Sequence, residues 1–253
     1  MAQSSVHARP DPVRQPIVIL GGFLSFPRLY QDMRAVLAQI VGQPVWIVEA
    51  WPHDWVRTVS PAGWAHLLGQ LERTVQHAVR DSVTGKVTLI GHSSGGVMAR
   101  LYLADQSIRR PTPFAGKLMG HAYCGLDKVD RLITLGSPHY NLRVGRMRRL
   151  VEEQYPGSYF PQVRYASVAG KGTMGRRHGS LRERWAYRSY ERLSGEGDVW
   201  GDGLVPVSSA LLHGSQQIVL EDVGHFAGFG RSWYGTPEIV SRWWHKNDAL
   251  YLP

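Results

Sequence analysis

The sequence predicts an α/β protein built on a mostly parallel sheet with helices on both faces. Two observations carry the prediction. Short apolar runs alternate along the chain with longer stretches of helical periodicity. The runs are also apolar at consecutive positions, as strands are when both faces of a sheet are covered.

Pro16 opens the first run, Ile17-Val18-Ile19-Leu20, and Gly21-Gly22 stops it. Leu29, Met33, Val36, Leu37 and Ile40 then recur at helical spacing before Gly42, and Val45 to Val48 form a second strand. Beyond Pro52 and Pro61, the residues Trp64, Leu67, Leu68, Leu71, Val75, Ala78 and Val79 mark one face of a long helix. That helix ends across Asp81 to Gly85. Val87 to Ile90 is a third strand, and Val97 to Leu103 resumes helical spacing. Arg131 to Leu135, Val163 to Val168 and Gln217 to Leu220 complete the strand candidates. Residues 1–15 read as a loose tail and 16–253 as one domain, with insertions around 140–162 and 171–200 where the alternation fails.

At 253 residues, 43% of them hydrophobic, the chain can bury a large core, and nothing in its composition signals long disorder. Cys124 is its only cysteine, which leaves no intrachain disulfide and no thiolate metal cluster. The N-terminal run MAQSSVHARPDPVRQP lacks the apolar stretch of a signal peptide, and no run reaches membrane-spanning length. A cytoplasmic location, with peripheral contact to a membrane, is the expectation. The net charge is +9, and residues 140–200 hold twelve Arg and Lys against six Asp and Glu.

The segment VTLIGHSSGGVM drives a buried strand into six small or polar residues and then returns to apolar spacing. Ser93 stands there between Gly91 and Gly95, at the carboxyl end of a strand, where parallel sheets gather their chemistry. A turn sharp enough to project Ser93 forces its flanks together, so residues without Cβ fit them. The amide of Ser94, at the start of the following helix, can then face an oxygen bound beside the hydroxyl. A plain glycine-rich turn with a solvent-facing serine has the same composition. Strand before and helix after favour the nucleophile.

A serine hydroxyl needs a histidine base and a carboxylate that orients it, here in the chain order Ser, acid, His. The histidines after Ser93 are His121, His139, His178, His213, His225 and His245. His225 follows the late strand Ile218 to Leu220 and is the candidate base. His245 belongs to the Trp-rich terminal helix pattern, and His139 reads as an ordinary loop histidine after Ser137-Pro138. Asp202, flanked by Gly201 and Gly203 and followed by Leu204-Val205, ranks first as the acid; Asp198 and Asp222 are the alternatives. The loop Gly21-Gly22-Phe23-Leu24 offers the second oxyanion donor, the amide of Phe23 or that of Leu24.

Together the segments Ile19-Leu20-Gly21-Gly22-Phe23, Ile90 to Gly96, Thr134 to His139, Gly201 to Ala210 and Gly224-His225 resemble the α/β-hydrolase superfamily. The likeness is to its lipase and esterase branch, which includes bacterial triacylglycerol lipases and lipase-like proteins of cyanobacteria and plastids. The resemblance implies an α/β-hydrolase fold with a basic cap or lid insertion. It also implies a catalytic triad of Ser93, Asp202 and His225, and a serine hydrolase acting on hydrophobic acyl esters or lipids through an acyl-enzyme. Members of this branch often have His-Gly where this chain has Gly21-Gly22, and Phe226-Ala227-Gly228 lacks the aspartate that serves calcium in some of them.

An acyltransferase or thioesterase using the same triad is the alternative, and a non-enzymatic binding protein on the same fold a third. Residues 140–162 read either as a lid, with Met147, Leu150, Val151 and Tyr155 at helical spacing, or as a surface helix with solvated arginines. Residues 176–192 interleave six arginines with Trp185, Tyr187 and Tyr190, a mixture suited to an anionic membrane surface. No nucleic-acid partner, cofactor or metal is expected: His53-Asp54 lacks a spaced third ligand, and Gly170-Lys171-Gly172-Thr173 has the residues of a phosphate loop in the wrong order.

Overall fold

The computed structural model describes residues 15–104, 125–142, 146–228 and 230–249. Of the proposed tail only Gln15 falls within them, and Cys124 and His121 lie outside.

In chain order the first elements are β1 (Ile17–Leu20), α1 (Gln31–Val41), β2 (Val45–Ile47), α2 (Pro52–Val56), α3 (Pro61–Arg80), β3 (Val87–His92), α4 (Ser94–Tyr102) and β4 (Val129–Leu135). There follow α5 (Arg146–Gln154), β5 (Arg164–Lys171), β6 (Thr173–Met174), α6 (Leu181–Ser194), β7 (Trp200–Gly201) and α7 (Val207–Ala210). The last are β8 (Gln216–Glu221), β9 (Val223–Gly224), β10 (Ser232–Trp233) and α8 (Pro237–Ala249). Six strands form one sheet in the order β2-β1-β3-β4-β5-β8, and every pairing in it is parallel.

Register sorts the continuous apolar runs into two cores. Ile19, Ile90 and Ile133 are aligned partners on one face, and with Ile17 they pack against Met33 and Leu37 of α1 and Val240 and Trp243 of α8. Val18, Leu89 and Leu132 align on the other, against Leu67, Leu71 and Val75 of α3 and Val97 and Met98 of α4. Period-two alternation therefore feeds both faces, which is why neither face of these strands is polar.

Local chemistry sets the boundaries. The Ser60 hydroxyl accepts from the Gly63 amide to cap α3, with Pro61 in its first turn, and α1 ends where Gly42 turns left-handed at φ 63°. Two strands run longer than the apolar pattern indicates. β3 continues through Gly91 to His92, and β5 through Gly170 to Lys171, so the phosphate-loop-like residues are largely strand.

Part of the segment 140–162 is anchored in the core by its apolar face. Val151, Tyr155 and Phe160 are buried in the core that also holds α3 and α4. The buried Arg100 of α4 donates to the carboxylate of Glu152 on α5 at 3.1 Å and to the carbonyl of Tyr155 at 2.5 Å. The second insertion is a β6–β7 hairpin carrying α6, whose Ser180–Glu183 capping box fixes its start. Trp185 of α6 is exposed, whereas Tyr190 is buried and holds the loop at Gly203. Arg177, His178, Arg184 and Arg188 line a surface cavity of about 590 Å³ on this helix. No described helix is long and apolar enough to cross a membrane.

Candidate active site

Ser93 occupies the turn between β3 and α4 with φ 53° and ψ −125°, a conformation costly for a residue with a side chain. Close packing enforces it. A Cβ on Gly91 would lie 2.5 Å from the Gly96 Cα, and one on Gly95 would lie 2.2 Å from the Gly21 carbonyl oxygen. The Ser93 amide donates to the Leu135 carbonyl at 2.8 Å, which pins the turn to the end of β4. This strained strand-turn-helix on a parallel sheet has the arrangement of an α/β-hydrolase nucleophile elbow.

Three of the expected residues meet there. His225 Nε2 lies 2.9 Å from Ser93 Oγ, and His225 Nδ1 lies 2.8 Å from Asp202 Oδ2. The carboxylate can only accept, so Nδ1 carries the ring proton and donates to it, Nε2 is the ring's acceptor and the serine hydroxyl donates to Nε2. The His225 amide also donates to the Asp202 carbonyl at 2.8 Å, which fixes backbone and ring to the same residue.

Asp202 is fully buried, and its carboxylate is completely satisfied. Oδ1 accepts from the amides of Leu204 and Val205 at 3.0 and 2.8 Å, and Oδ2 accepts from His225 and from the Tyr234 hydroxyl at 2.8 Å. Burial alone would raise its pKa. The charge of His225 and these hydrogen bonds outweigh burial and hold it below the ordinary value. Asp198 and Asp222, the alternatives, are both exposed and make no contact with His225.

Around Ser93, the Gly22 Cα packs so closely that a Cβ there would lie 2.7 Å from the Ser93 Cβ. The amides of Phe23 and Leu24 have no hydrogen-bond acceptor among the described residues, and Ser94 opens the first turn of α4, whose amides lack a carbonyl one turn back. Phe23 and Ser94, the two oxyanion candidates from the sequence, thus have backbone amides without an acceptor on segments that adjoin Ser93. The Phe23 side chain is exposed rather than filling a core.

Sequence reasoning missed a buried relay that joins this loop to the base. The Gly22 amide donates to the Tyr30 hydroxyl oxygen at 3.0 Å, Tyr30 lies 2.8 Å from His92 Nδ1, and His92 Nε2 lies 3.0 Å from the His225 carbonyl oxygen. A carbonyl can only accept, so His92 carries its proton on Nε2 and Tyr30 donates to Nδ1. Burial holds the relay in that state. It pushes His92 down to about 3 and Tyr30 up to about 12, with the nearby charge of His225 also opposing protonation of His92. The signal for His92 was its place before Ser93 inside the strand. Nothing local marked Tyr30 or Tyr234.

His139 lies in the loop after β4, as expected, but is buried there, and takes a 3.3 Å hydrogen bond from Arg100 on Nδ1 while Nε2 lies 3.0 Å from Thr134 Oγ1. Burial, with the Arg100 charge, keeps it neutral well below the usual histidine range. His178, His213 and His245 are exposed. Asp54 caps α2 through the Trp51 amide and pairs with His66 at 3.0 Å. Among the described residues no group of three His, Cys, Asp or Glu side chains could hold a metal ion.

No family model matches the chain, and no curated protein matches it by sequence. Solved structures similar to it include a thermophilic esterase from the planctomycete Thermogutta terrifontis, at 11% identity over 97% of this chain and 83% of that one, with a TM-score of 0.49. The α/β hydrolase MGS-MChE2, from the metagenome of sediments of the Mar Chica lagoon in Morocco, is 15% identical over 92% of both chains at a TM-score of 0.49. The chain is also similar to a protein assigned to the α/β hydrolase superfamily from Xanthomonas campestris pv. campestris, at 14% identity over 92% of this chain and 99% of that one, with a TM-score of 0.46.

Proposed function

We propose that the chain is a serine carboxylic-ester hydrolase that cleaves hydrophobic acyl esters through an acyl-enzyme. The continuous hydrogen-bonded line from Ser93 Oγ through His225 to Asp202, at 2.9 and 2.8 Å, carries the reading. Ser93 Oγ attacks the ester carbonyl and its proton passes to His225 Nε2. Asp202 holds the imidazole in the accepting tautomer and stabilises the imidazolium. The Phe23 and Ser94 amides receive the developing oxyanion, each such donor being worth on the order of 3 kcal/mol in the transition state. His225 then gives the proton to the departing alcohol, and water, deprotonated by the same ring, releases the acid.

Exposed apolar side chains support a hydrophobic substrate. Phe23, Leu24 and Phe26 follow β1 and Trp51 follows β2, all four at the carboxyl edge of the sheet and all at least 42% exposed. Apolar groups gathered in this way beside a reactive hydroxyl offer a surface for an acyl chain.

A series of p-nitrophenyl esters from acetate to palmitate, run on the wild type and on Ser93→Ala, tests the proposal. The wild type is expected to turn over esters in the series, and Ser93→Ala to lose at least 10³-fold in kcat while melting at the same temperature. Equal activity of the two proteins would remove Ser93 from the chemistry. Adding a primary alcohol and measuring the new ester separates hydrolysis from acyl transfer.

A further inference from the structure

Arg148 of α5 reaches across to α4 and donates through Nη2 to the Ser94 hydroxyl at 2.6 Å. Ser94 is the neighbour of the proposed nucleophile. Given 3.8 Å between adjacent Cα atoms, this nitrogen lies no further than about 9 Å from the Ser93 Cα. The position is built, not incidental. Val151, three residues on, is fully buried, and Glu152 on the next turn is held by Arg100. The two helices therefore exchange arginines, Arg100 from α4 to α5 and Arg148 from α5 to α4.

The two arginines differ in what they meet. Arg100 has a carboxylate; Arg148 has none. Its bond to Ser94 uses one of five guanidinium donors, and among the described residues no Asp or Glu pairs with it. It is half-buried, and burial lowers its pKa. Glu152, one helical turn on, is already engaged by Arg100. A partly desolvated guanidinium with free, fork-shaped donors is a receptor for a carboxylate or phosphate group.

Sheet order places it opposite the apolar rim. Ser93 follows β3; Phe23 and Trp51 follow β1 and β2 on one side, and the segment carrying Arg148 follows β4 on the other. We infer that Arg148 is a specificity-determining residue that binds an anionic oxygen group, carboxylate or phosphate, on the substrate, so that the preferred ester is amphiphilic, with an apolar part on the β1–β2 flank and a negative group on the β4 flank. This rests on the proposed ester chemistry at Ser93.

The test compares p-nitrophenyl valerate with the mono-p-nitrophenyl ester of glutaric acid, which has the same acyl length and ends in a carboxylate. The wild type is expected to favour the glutarate ester at least tenfold in kcat/KM, the Arg148→Gln variant to bring that ratio close to one, and Arg148→Lys to retain part of it. A ratio that is the same in wild type and Arg148→Gln, or in wild type and Arg148→Lys where the Gln variant does not fold, would overturn the inference. Binding of glutarate and of inorganic phosphate to Ser93→Ala, measured by calorimetry with and without Arg148→Gln, tells carboxylate from phosphate and does not depend on turnover. Arg148-dependent binding without turnover of either ester would sink the hydrolase reading and leave the anion site standing. Turnover of valerate with no effect of Arg148 on preference or binding would do the reverse.

Discussion

Replacing Tyr30 by Phe cuts the relay between the Gly22 amide and His225 at its middle. The hydroxyl is the acceptor for the Gly22 amide at 3.0 Å and the donor to His92 Nδ1 at 2.8 Å, and both partners are buried. Two buried polar groups lose their partners, each at about 1–3 kcal/mol, while the phenylalanine escapes the burial of its own oxygen. A net loss of about 2–3 kcal/mol lowers Tm by roughly 5–10 °C in a chain of this size. The chemical effect is separate from the thermal one. Gly22 is released beside Ser93, and Phe23 with it, so part of the roughly 3 kcal/mol of one oxyanion donor is lost and kcat falls about tenfold or more. KM changes little, because that donor acts on the charge of the transition state.

Leu37→Ala provides the control. Leu37 is fully buried in the same core as Tyr30 but contributes no hydrogen-bonding group to the relay, and truncating a buried leucine costs about 2–5 kcal/mol. It should match the Tyr30→Phe loss in Tm and keep kcat. Ester hydrolysis by stopped absorbance and thermal melts by circular dichroism read both quantities. If Tyr30→Phe retains kcat within twofold, or if Leu37→Ala loses as much, the relay does not hold the site.

Gly95→Ala places a Cβ 2.2 Å from the Gly21 carbonyl oxygen and 2.6 Å from that of Leu20, both backbone atoms that cannot rotate away. It is expected to cost about 1–3 kcal/mol in stability and at least a hundredfold in kcat/KM as the elbow and the Gly21–Phe23 loop separate, and wild-type kinetics would show that this packing is dispensable. Acid should destabilise the fold before its carboxylates titrate. His92 has a folded pKa of about 3 against an unfolded value of about 6.5, so between them the unfolded chain binds a proton the native state refuses, and stability falls as pH falls; His139, also held below its ordinary value, acts in the same direction. From pH 7 to pH 5 His92 alone is expected to remove about 2 kcal/mol, and a Tm unchanged over that interval would show that it takes up a proton in the fold.

The parallel sheet was legible because its strands carry short, mostly apolar runs, and Ser93, Asp202 and His225 because each sits in a short glycine-marked loop after a strand. What the sequence hid is joined across distance. Tyr30 and His92 are 62 residues apart, Tyr234 and Asp202 are 32, and Arg148 and Ser94 are 54, with no local pattern pointing from one to the other. The burial of His139 was hidden for the same reason: Ser137-Pro138 marks its loop, but nothing nearby in the sequence points to Arg100, which reaches it from α4. The insertion at 140–162 showed helical spacing, but the Arg100–Glu152 pair that fastens it cannot be seen in the order of residues.

Two hydroxyls stand side by side at the elbow, and a variant lacking the first invites rescue by its neighbour. The backbone forbids that bypass. Ser93 alone has the left-handed φ that throws its side chain toward His225, whereas Ser94 is already helical and its oxygen is occupied by a guanidinium. Residual turnover in a protein without Ser93 would therefore come not from Ser94 but from water attacking an ester held by the remaining amides and His225, and a knock-out at this position reads what the rest of the site does without its hydroxyl.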